Sequence, residues 1–504
     1  DIQINKWVKI TEDLRFGQSD SRGVDTNSGY SGAVISAIYM PQSAAKNYYT
    51  GTGFGGVTTE DPEYIAKYGS NYAGIHGDVI NPLRILTADD RYNRSNSFFT
   101  TTGLEISNII TGLKFNSKFS FYTNSGFSKN FAHMITEVGK PDASNSLNYS
   151  TSRSQGWKTE NTLTFDRTFD KHSVGALLST TSDYYSGRGF SAAGSTFSDE
   201  SRNLQYFNFA GAWTKPSDYL SGPDANIALI SRLSYSFDDR YFMTASWRRD
   251  YAGRLPDNNN YGDFPAVTGA WKISNEDFFN KGLVDLLKIR ASFGRVGNLG
   301  SIGYNYKSQT LSSAGWSNQS QQYGYETDAG YCGTFYYNGK ALNPKLTWET
   351  SEQFDAGLDI DMLNDRLSMS FDFYNKRTYN LIQSQSSGWP NSIGVSAMLV
   401  NLGEIKNRGF EALFGWKDRV GKDWSYFLNA NAAYNKNWVS DIGVTTGDGS
   451  KGVWTGGGDY RQVPYIYQTK EGGPLNQYYM INCLGIFQSD AEVLTHAKIG
   501  RAHV

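Results

Sequence analysis

The 504-residue chain has only two cysteines, Cys332 and Cys483. That is too few for a disulfide framework, and their spacing fits no metal ligand pair. A single bridge between them stays open. The five histidines, His76, His133, His172, His496 and His503, have no metal-ligand partner at usable spacing. Long apolar runs are also missing. A helix that spans a bilayer needs ~20 apolar residues, and the best stretch, Gly32 to Ala45, is shorter and contains Pro41. Neither charge sign dominates: Lys+Arg 47 against Asp+Glu 49 gives a net charge of -2. This argues against a nucleic-acid partner or a polybasic membrane patch. No Gly-x-Ser-x-Gly elbow occurs. The run Gly51-Thr52-Gly53-Phe54-Gly55-Gly56 has the glycines of a dinucleotide loop but no strand before it or helix after it, so it reads as a glycine-rich loop. The chain begins Asp1-Ile2-Gln3 with no signal peptide, and an exported protein would need its start elsewhere.

What the chain does have is aromatic residues, 15 % of the total, with Tyr 34, Phe 29 and Trp 12, and Gly 53. Mean hydropathy is nonetheless low, at -0.51. The length would make two to four soluble domains, or one large barrel. Many aromatics on a polar average suit a barrel that is apolar outside and wet inside. The pattern supports this, because hydrophobicity alternates with period two. Ile227, Leu229, Leu233, Tyr235 and Phe237 alternate with Arg232, Ser234 and Ser236. Tyr241, Met243, Ala245 and Trp247 alternate with Thr244, Ser246 and Arg248. The same holds for Phe354 to Asp361, Leu367 to Phe373, Phe410 to Trp416 and Trp424 to Ala430.

Tight turns are expected at Asn108 to Gly112, Phe169 to Lys171, Asp238 to Arg240, Asn364 to Arg366 and Asp418 to Asp423. Long loops are expected at Gly17 to Asn96, Ser128 to Ser146, Gly187 to Ala225, Gly297 to Thr347 and Ser386 to Val400. Alternating short and long connections characterise outer-membrane barrels; a soluble sandwich has no reason to gather its long loops at one end. The expected fold is therefore all-β, an antiparallel transmembrane β-barrel. The competing reading is a large soluble β protein with an aromatic core. Tyr241, Trp247, Trp271, Trp416 and Trp424 are expected to face the membrane, with the tryptophans near strand ends as an aromatic girdle. Asp359 and Asp361 are expected to line a wet lumen, and Glu404 and Glu411 to make luminal or turn contacts, rather than to do chemistry. No catalytic, cofactor or metal residue is expected, and the chain is not read as an enzyme.

Several ordered segments resemble the SusC/RagA family of TonB-dependent transporters. The first runs from Leu233 through Trp247-Arg248-Arg249-Asp250. Tyr261-Gly262-Asp263-Phe264-Pro265, Gly269-Ala270-Trp271-Lys272 and Leu287-Lys288-Ile289-Arg290-Ala291-Ser292-Phe293-Gly294 follow, then Gly297-Asn298. Asn343-Pro344-Lys345-Leu346-Thr347-Trp348-Glu349, Phe371-Asp372-Phe373-Tyr374, Gly403 to Glu411 and Gly485 to Ser489 complete the set. One departure is Tyr251-Ala252-Gly253-Arg254-Leu255, where the family has a Gly-Ser-Ser-Arg-Phe-like run.

The resemblance implies outer-membrane import of a glycan, oligosaccharide or peptide. It also implies a SusD-like surface lipoprotein and the TonB complex as partners, with lipid around the barrel. The alternative is a passive porin or a surface ligand-binding adhesin; an outer-membrane hydrolase would need a Ser/His/acid constellation that is not found. About 14 strands are expected, against ~22 for such a transporter. Residues 1–498 would be part of the barrel, with the plug domain and terminal strands absent. The last six residues, Ile499 to Val504, read as a translated sequencing adapter and are set apart. In the Gly297–Asn343 loop, Trp316, Tyr323, Tyr325, Tyr331 and Tyr336, with Phe335 and Tyr337, are candidate ligand contacts; packing within the loop is the plainer alternative.

Overall fold

The computed structural model describes residues 1–24, 32–40, 79–87, 90–135, 142–214, 216–280, 282–303, 343–385, 397–443 and 467–479, with isolated short segments elsewhere. It is dominated by one antiparallel sheet of 15 strands. These are β1 (Ile2–Gln3), β2 (Val8–Ser21), β3 (Asp90–Ser107), β4 (Leu113–Ala132), β5 (Ser146–Phe169) and β6 (His172–Phe197). Next come β7 (Ala210–Trp213), β8 (Ser217–Phe237), β9 (Tyr241–Ala252), β10 (Tyr261–Lys272) and β11 (Val284–Asn298). The last four are β12 (Glu349–Met362), β13 (Leu367–Tyr379), β14 (Glu404–Val420) and β15 (Trp424–Asp441). Each strand pairs with the next in sequence, except that β8 adds beside β6 and the short β7 pairs only with β6. Among the described residues β15 does not pair back to the start, so the sheet is open.

Up-and-down order follows from the connections. At one end they are tight and use left-handed residues: Asn108 (φ 62°), Asp170 (51°), Asp238 (51°), Asp239 (53°), Asn364 (58°) and Asp365 (57°). Asn and Asp tolerate this region because their short polar side chains bond locally. Gly421 (φ 68°) does the same between β14 and β15. At this end one link is longer, Ile273 to Leu283, and the remaining long connections all lie at the other end. Two short helices, α1 (Ala33–Tyr39) and α2 (Pro82–Thr87), sit in the first of them. Among the described residues no helix is long and apolar enough to cross a membrane.

Strands run further than the sequence pattern indicates. β2 continues to Ser21, β3 starts at Asp90, and β6 and β8 extend through most of Gly187 to Ala225. In that region Gly187, Gly189, Gly194, Ser191, Ala192 and Ala193 occupy the strand. Small residues give no visible alternation, so pairing outruns the pattern. Opposite Ser186, β8 carries an extra residue at Gly222-Pro223; this bulge shifts the β6–β8 register and switches which face odd-numbered residues of β8 occupy. Two further connections, Ile273 to Leu283 and Gly253 to Asn260, were not anticipated.

Burial separates a soluble core from a membrane surface. The apolar clusters gather at the long-loop end: Ala252, Leu255, Ile302, Leu346, Ile382 and Leu399 in one, Phe131, Leu147 and Phe197 in another. On the strands toward the tight-turn end, by contrast, Leu233 is 63 % exposed and Met243 56 %. A soluble protein would cover such a face, and nothing in the described sheet does.

Candidate functional site

The register places the alternating residues on common faces. Phe237 pairs with Tyr241, and Tyr241 with Trp271. Trp271 pairs with Ile289, which pairs with Leu358, and Leu358 pairs with Phe371. One face is therefore apolar across six strands. At the tight-turn end the rings of Phe237, Tyr241 and Trp271 form a row, with centroids 6.5 and 6.3 Å apart and nearly parallel planes. The Trp271 indole N–H donates to Glu276 Oε1 at 2.8 Å. The Tyr241 hydroxyl and this indole, helped by Arg240, hold the Glu276 carboxyl below its usual range. A second row lies nearer the loops: Phe16 against Phe98, Trp157 stacked on Tyr184 at 6.2 Å, and Tyr251 against Tyr261 at 6.0 Å. Tyr241 and Tyr251 are ten residues apart along β9. At ~3.3 Å per residue and a tilt of ~40°, the rows are roughly 25 Å apart.

Charges on this face are mostly neutralised locally. Glu12 accepts hydrogen bonds of 2.6 Å from the Thr100 and Thr102 hydroxyls. Arg94 grips Asp20 at 2.8 and 3.0 Å. Arg249 grips Asp263 at 2.8 and 2.7 Å, between the rings of Trp247 and Tyr261. The Trp-Arg-Arg-Asp motif thus divides by parity. Arg249 bonds across strands on the apolar face, while Arg248 bonds Asp250 on the other.

The second face is polar. Arg290 on β11 reaches two strands: its Nε donates to Asp359 on β12 at 3.1 Å, and its Nη1 meets Asp372 on β13 at 2.7 Å. The Ser370 hydroxyl donates to Asp359 at 2.8 Å. This arrangement braces three strands through Asp359 on the polar face.

At the loop end, side chains stitch distant segments. Asn401 accepts from the Thr347 N–H at 2.8 Å and donates to the carbonyls of Thr347 and Asn380. Asn343 donates to the Leu399 carbonyl at 3.0 Å. The Asn-Pro-Lys-Leu-Thr-Trp-Glu segment is therefore a loop anchor: Leu346 is fully buried and Trp348 packs edge-on to Phe264. His133 lies between Glu200 (3.0 Å) and Asp90 (3.2 Å). Burial would push Asp90 up, but hydrogen bonds from Gln205, Arg202 and His133 outweigh it and hold the carboxyl at about 2. Glu404 is held at about 2 in the same way, by Arg377, Ser440 and Lys406 against burial. Glu404 thus makes contacts at the loop-side start of β14. None of these clusters is visible in local sequence, because their members lie tens of residues apart.

Of the girdle candidates, Tyr241 opens β9, Trp271 nearly ends β10 and Trp424 opens β15. Trp416 lies four residues before the end of β14, and its indole N–H donates to Tyr426 Oη on β15 at 3.3 Å. Trp247 is a correction: it sits mid-strand in β9, packed beside Arg249, not at a strand end. Of the loop candidates, Trp316, Tyr323, Phe335 and Cys483 lie outside the described residues. Tyr325, Tyr331 and Cys332 belong to a small hairpin, Tyr325–Thr327 with Gly330–Cys332, and Tyr336 and Tyr337 pair with Ser312–Ser313. The Gly51 to Gly56 run and residues 499–504 also lie outside.

The sequence model of the family described as "TonB dependent receptor-like, beta-barrel" matches residues 15–472. The chain is 25% identical over 448 residues to TonB-dependent receptor P3 of Formosa agariphila, covering 87% of this chain and 41% of that protein. It is 31% identical over 229 residues to the TonB-dependent receptor SusC of Bacteroides thetaiotaomicron, covering 44% and 21%. It spans less than half the length of these relatives. In fold it is similar to the RagAB peptide importer in its open-open state, with TM-score 0.73 and 20% identity over 95% of this chain and 48% of that one. An open, two-faced antiparallel sheet with its longest loops at one end is what a stretch of such a barrel must look like, and this chain belongs to the TonB-dependent receptor β-barrels of the bacterial outer membrane.

Proposed function

We propose that the chain forms part of the wall of an energy-driven importer that brings a glycan, oligosaccharide or peptide across the outer membrane. The family match on a sheet with one apolar and one hydrogen-bonded polar face carries the reading. The apolar face, with Tyr241, Trp247, Trp271, Trp416 and Trp424, meets lipid. The spacing of the two aromatic rows supports this, since it suits the ~25 Å apolar band of such barrels. The polar face lines the lumen. The loop end faces outside, toward a SusD-like lipoprotein, and TonB supplies the force. Trp316, Tyr323, Tyr325, Tyr331 and Tyr336 offer ring faces for stacking on cargo. The cargo is moved and not chemically altered.

The test is uptake of labelled oligosaccharides and peptides by cells carrying or lacking the full-length receptor. Uptake should require the receptor and stop when TonB is deleted or the proton gradient is collapsed. Receptor-dependent uptake that survives both treatments would identify a passive porin. Surface binding without uptake would identify an adhesin.

A further inference from the structure

We infer that Arg153 and Arg188 form a site on the outside of the barrel for the phosphate of a lipid headgroup. Arg153 on β5 and Arg188 on β6 are direct cross-strand partners. They lie on the same face as Trp157 and Tyr184, each four residues nearer the loop end. Both are exposed. Among the described residues neither guanidinium has a hydrogen-bond or ion-pair partner. This sets them apart from Arg94 and Arg249, which are each closed by a carboxylate on the same face.

Two like charges directly opposed destabilise a strand pair. A shared anion reverses that, and guanidinium groups match phosphate oxygens with paired N–H donors. Position selects the anion. Four residues along tilted strands is about 10 Å beyond the Trp157–Tyr184 stack. If that stack marks the edge of the apolar band, the arginines lie at headgroup depth. Polar neighbours complete the surface: Ser125 pairs with Arg153, and Gln155 with Ser186. Leu220, 57 % exposed, pairs with Arg188 on its other side and offers apolar contact for the lipid's upper chain.

This inference rests on the lipid-facing reading of the apolar face, so the test reports on the two separately. The full-length receptor in neutral detergent is titrated with phosphatidic acid, with diacylglycerol of the same chains, or with inorganic phosphate. Thermal unfolding is followed. A polarity-sensitive dye at Met369→Cys, with Cys332 and Cys483 changed to serine, reports whether the face is in an apolar phase. Phosphatidic acid should raise Tm, while diacylglycerol and inorganic phosphate should not. Arg153→Ala with Arg188→Ala should weaken the response at least tenfold. Arg153→Glu should raise Tm without lipid, by pairing with Arg188, and lose the response. An equal response to diacylglycerol, an undiminished response in the double variant, or saturation by inorganic phosphate alone would each overturn the site. A water-exposed dye would overturn the lipid-facing reading itself, whatever the arginines do.

Discussion

Gly357 lies under the guanidinium of Arg290: a Cβ at position 357 would come within 2.5 Å of Arg290 Cζ and 2.7 Å of Asp372 Oδ1. The bare backbone of β12 is what lets Arg290 cross it to reach Asp372 on β13. Gly357→Ala should therefore displace a braced side chain and cost about 1–3 kcal/mol, as overpacking does. In an Arg290→Ala background the same change should cost little. A double-mutant cycle on the full-length receptor measures the coupling, and additive costs would contradict it.

The face assignment predicts an asymmetry between adjacent residues. Met369→Arg puts a charge on the apolar face and should cost ~2–4 kcal/mol in the barrel. Ser370 is a poor comparator, since it bonds Asp359 and Arg290. Ser368, exposed on the polar face and paired across from Asp361, is better. Ser368→Arg should cost well under half as much by urea titration in liposomes.

Asp90 gives a pH dependence with a defined sign. Its folded carboxyl titrates at about 2, below the ~3.9 of an unfolded chain. The stability it contributes is complete above pH ~4 and is lost as pH falls through 2, roughly 2 kcal/mol in all. Asp90→Asn should remove that acid-dependent part, seen as a smaller fall in Tm between pH 5 and pH 2. A fall of unchanged size would show that the His133 cluster does not hold the loops.

The Asn401 clamp predicts a local effect. Asn401→Ala leaves the Thr347 N–H and two carbonyls without their partner, worth ~1–3 kcal/mol where buried. The loop between β13 and β14 should be cut faster by protease, while unfolding of the barrel stays unchanged.

Topology can be read on intact cells. Trp316 lies between Asn298 and Glu349, the loop-end termini of β11 and β12, and Asp365 lies in the tight turn after β12. A membrane-impermeant thiol reagent should label Trp316→Cys and spare Asp365→Cys, with Cys332 and Cys483 changed to serine. The opposite result would reverse the orientation.

The sequence was most legible where bulky and polar residues alternate. Leu233 to Trp247 and Leu367 to Phe373 fell into strands with their faces as expected, because each side chain announces its side. It was least legible where the chain is small or cooperative. Ser191, Ala192, Ala193 and Gly194 fill β6 without a pattern, and the bulge at Gly222-Pro223 resets the parity of β8 unseen. Asn401 and Thr347, or His133, Asp90 and Glu200, meet only because the barrel's connections return to one rim. Pairing created these contacts, and local composition carries no mark of it.

The left-handed turns have a consequence for how such a chain can change length. Each joins two strands so closely that one added residue would slide the next strand by one position. Every ring meant for hydrocarbon would then turn toward water. A connection such as Gly253 to Asn260 can absorb an odd number without that exchange, as the bulge at Gly222-Pro223 absorbs one inside β8. Foreign epitopes, tags and spliced segments of any length therefore belong at the rim that carries His133 and Asn401, and the left-handed turns at Asp238 and Asn364 admit none.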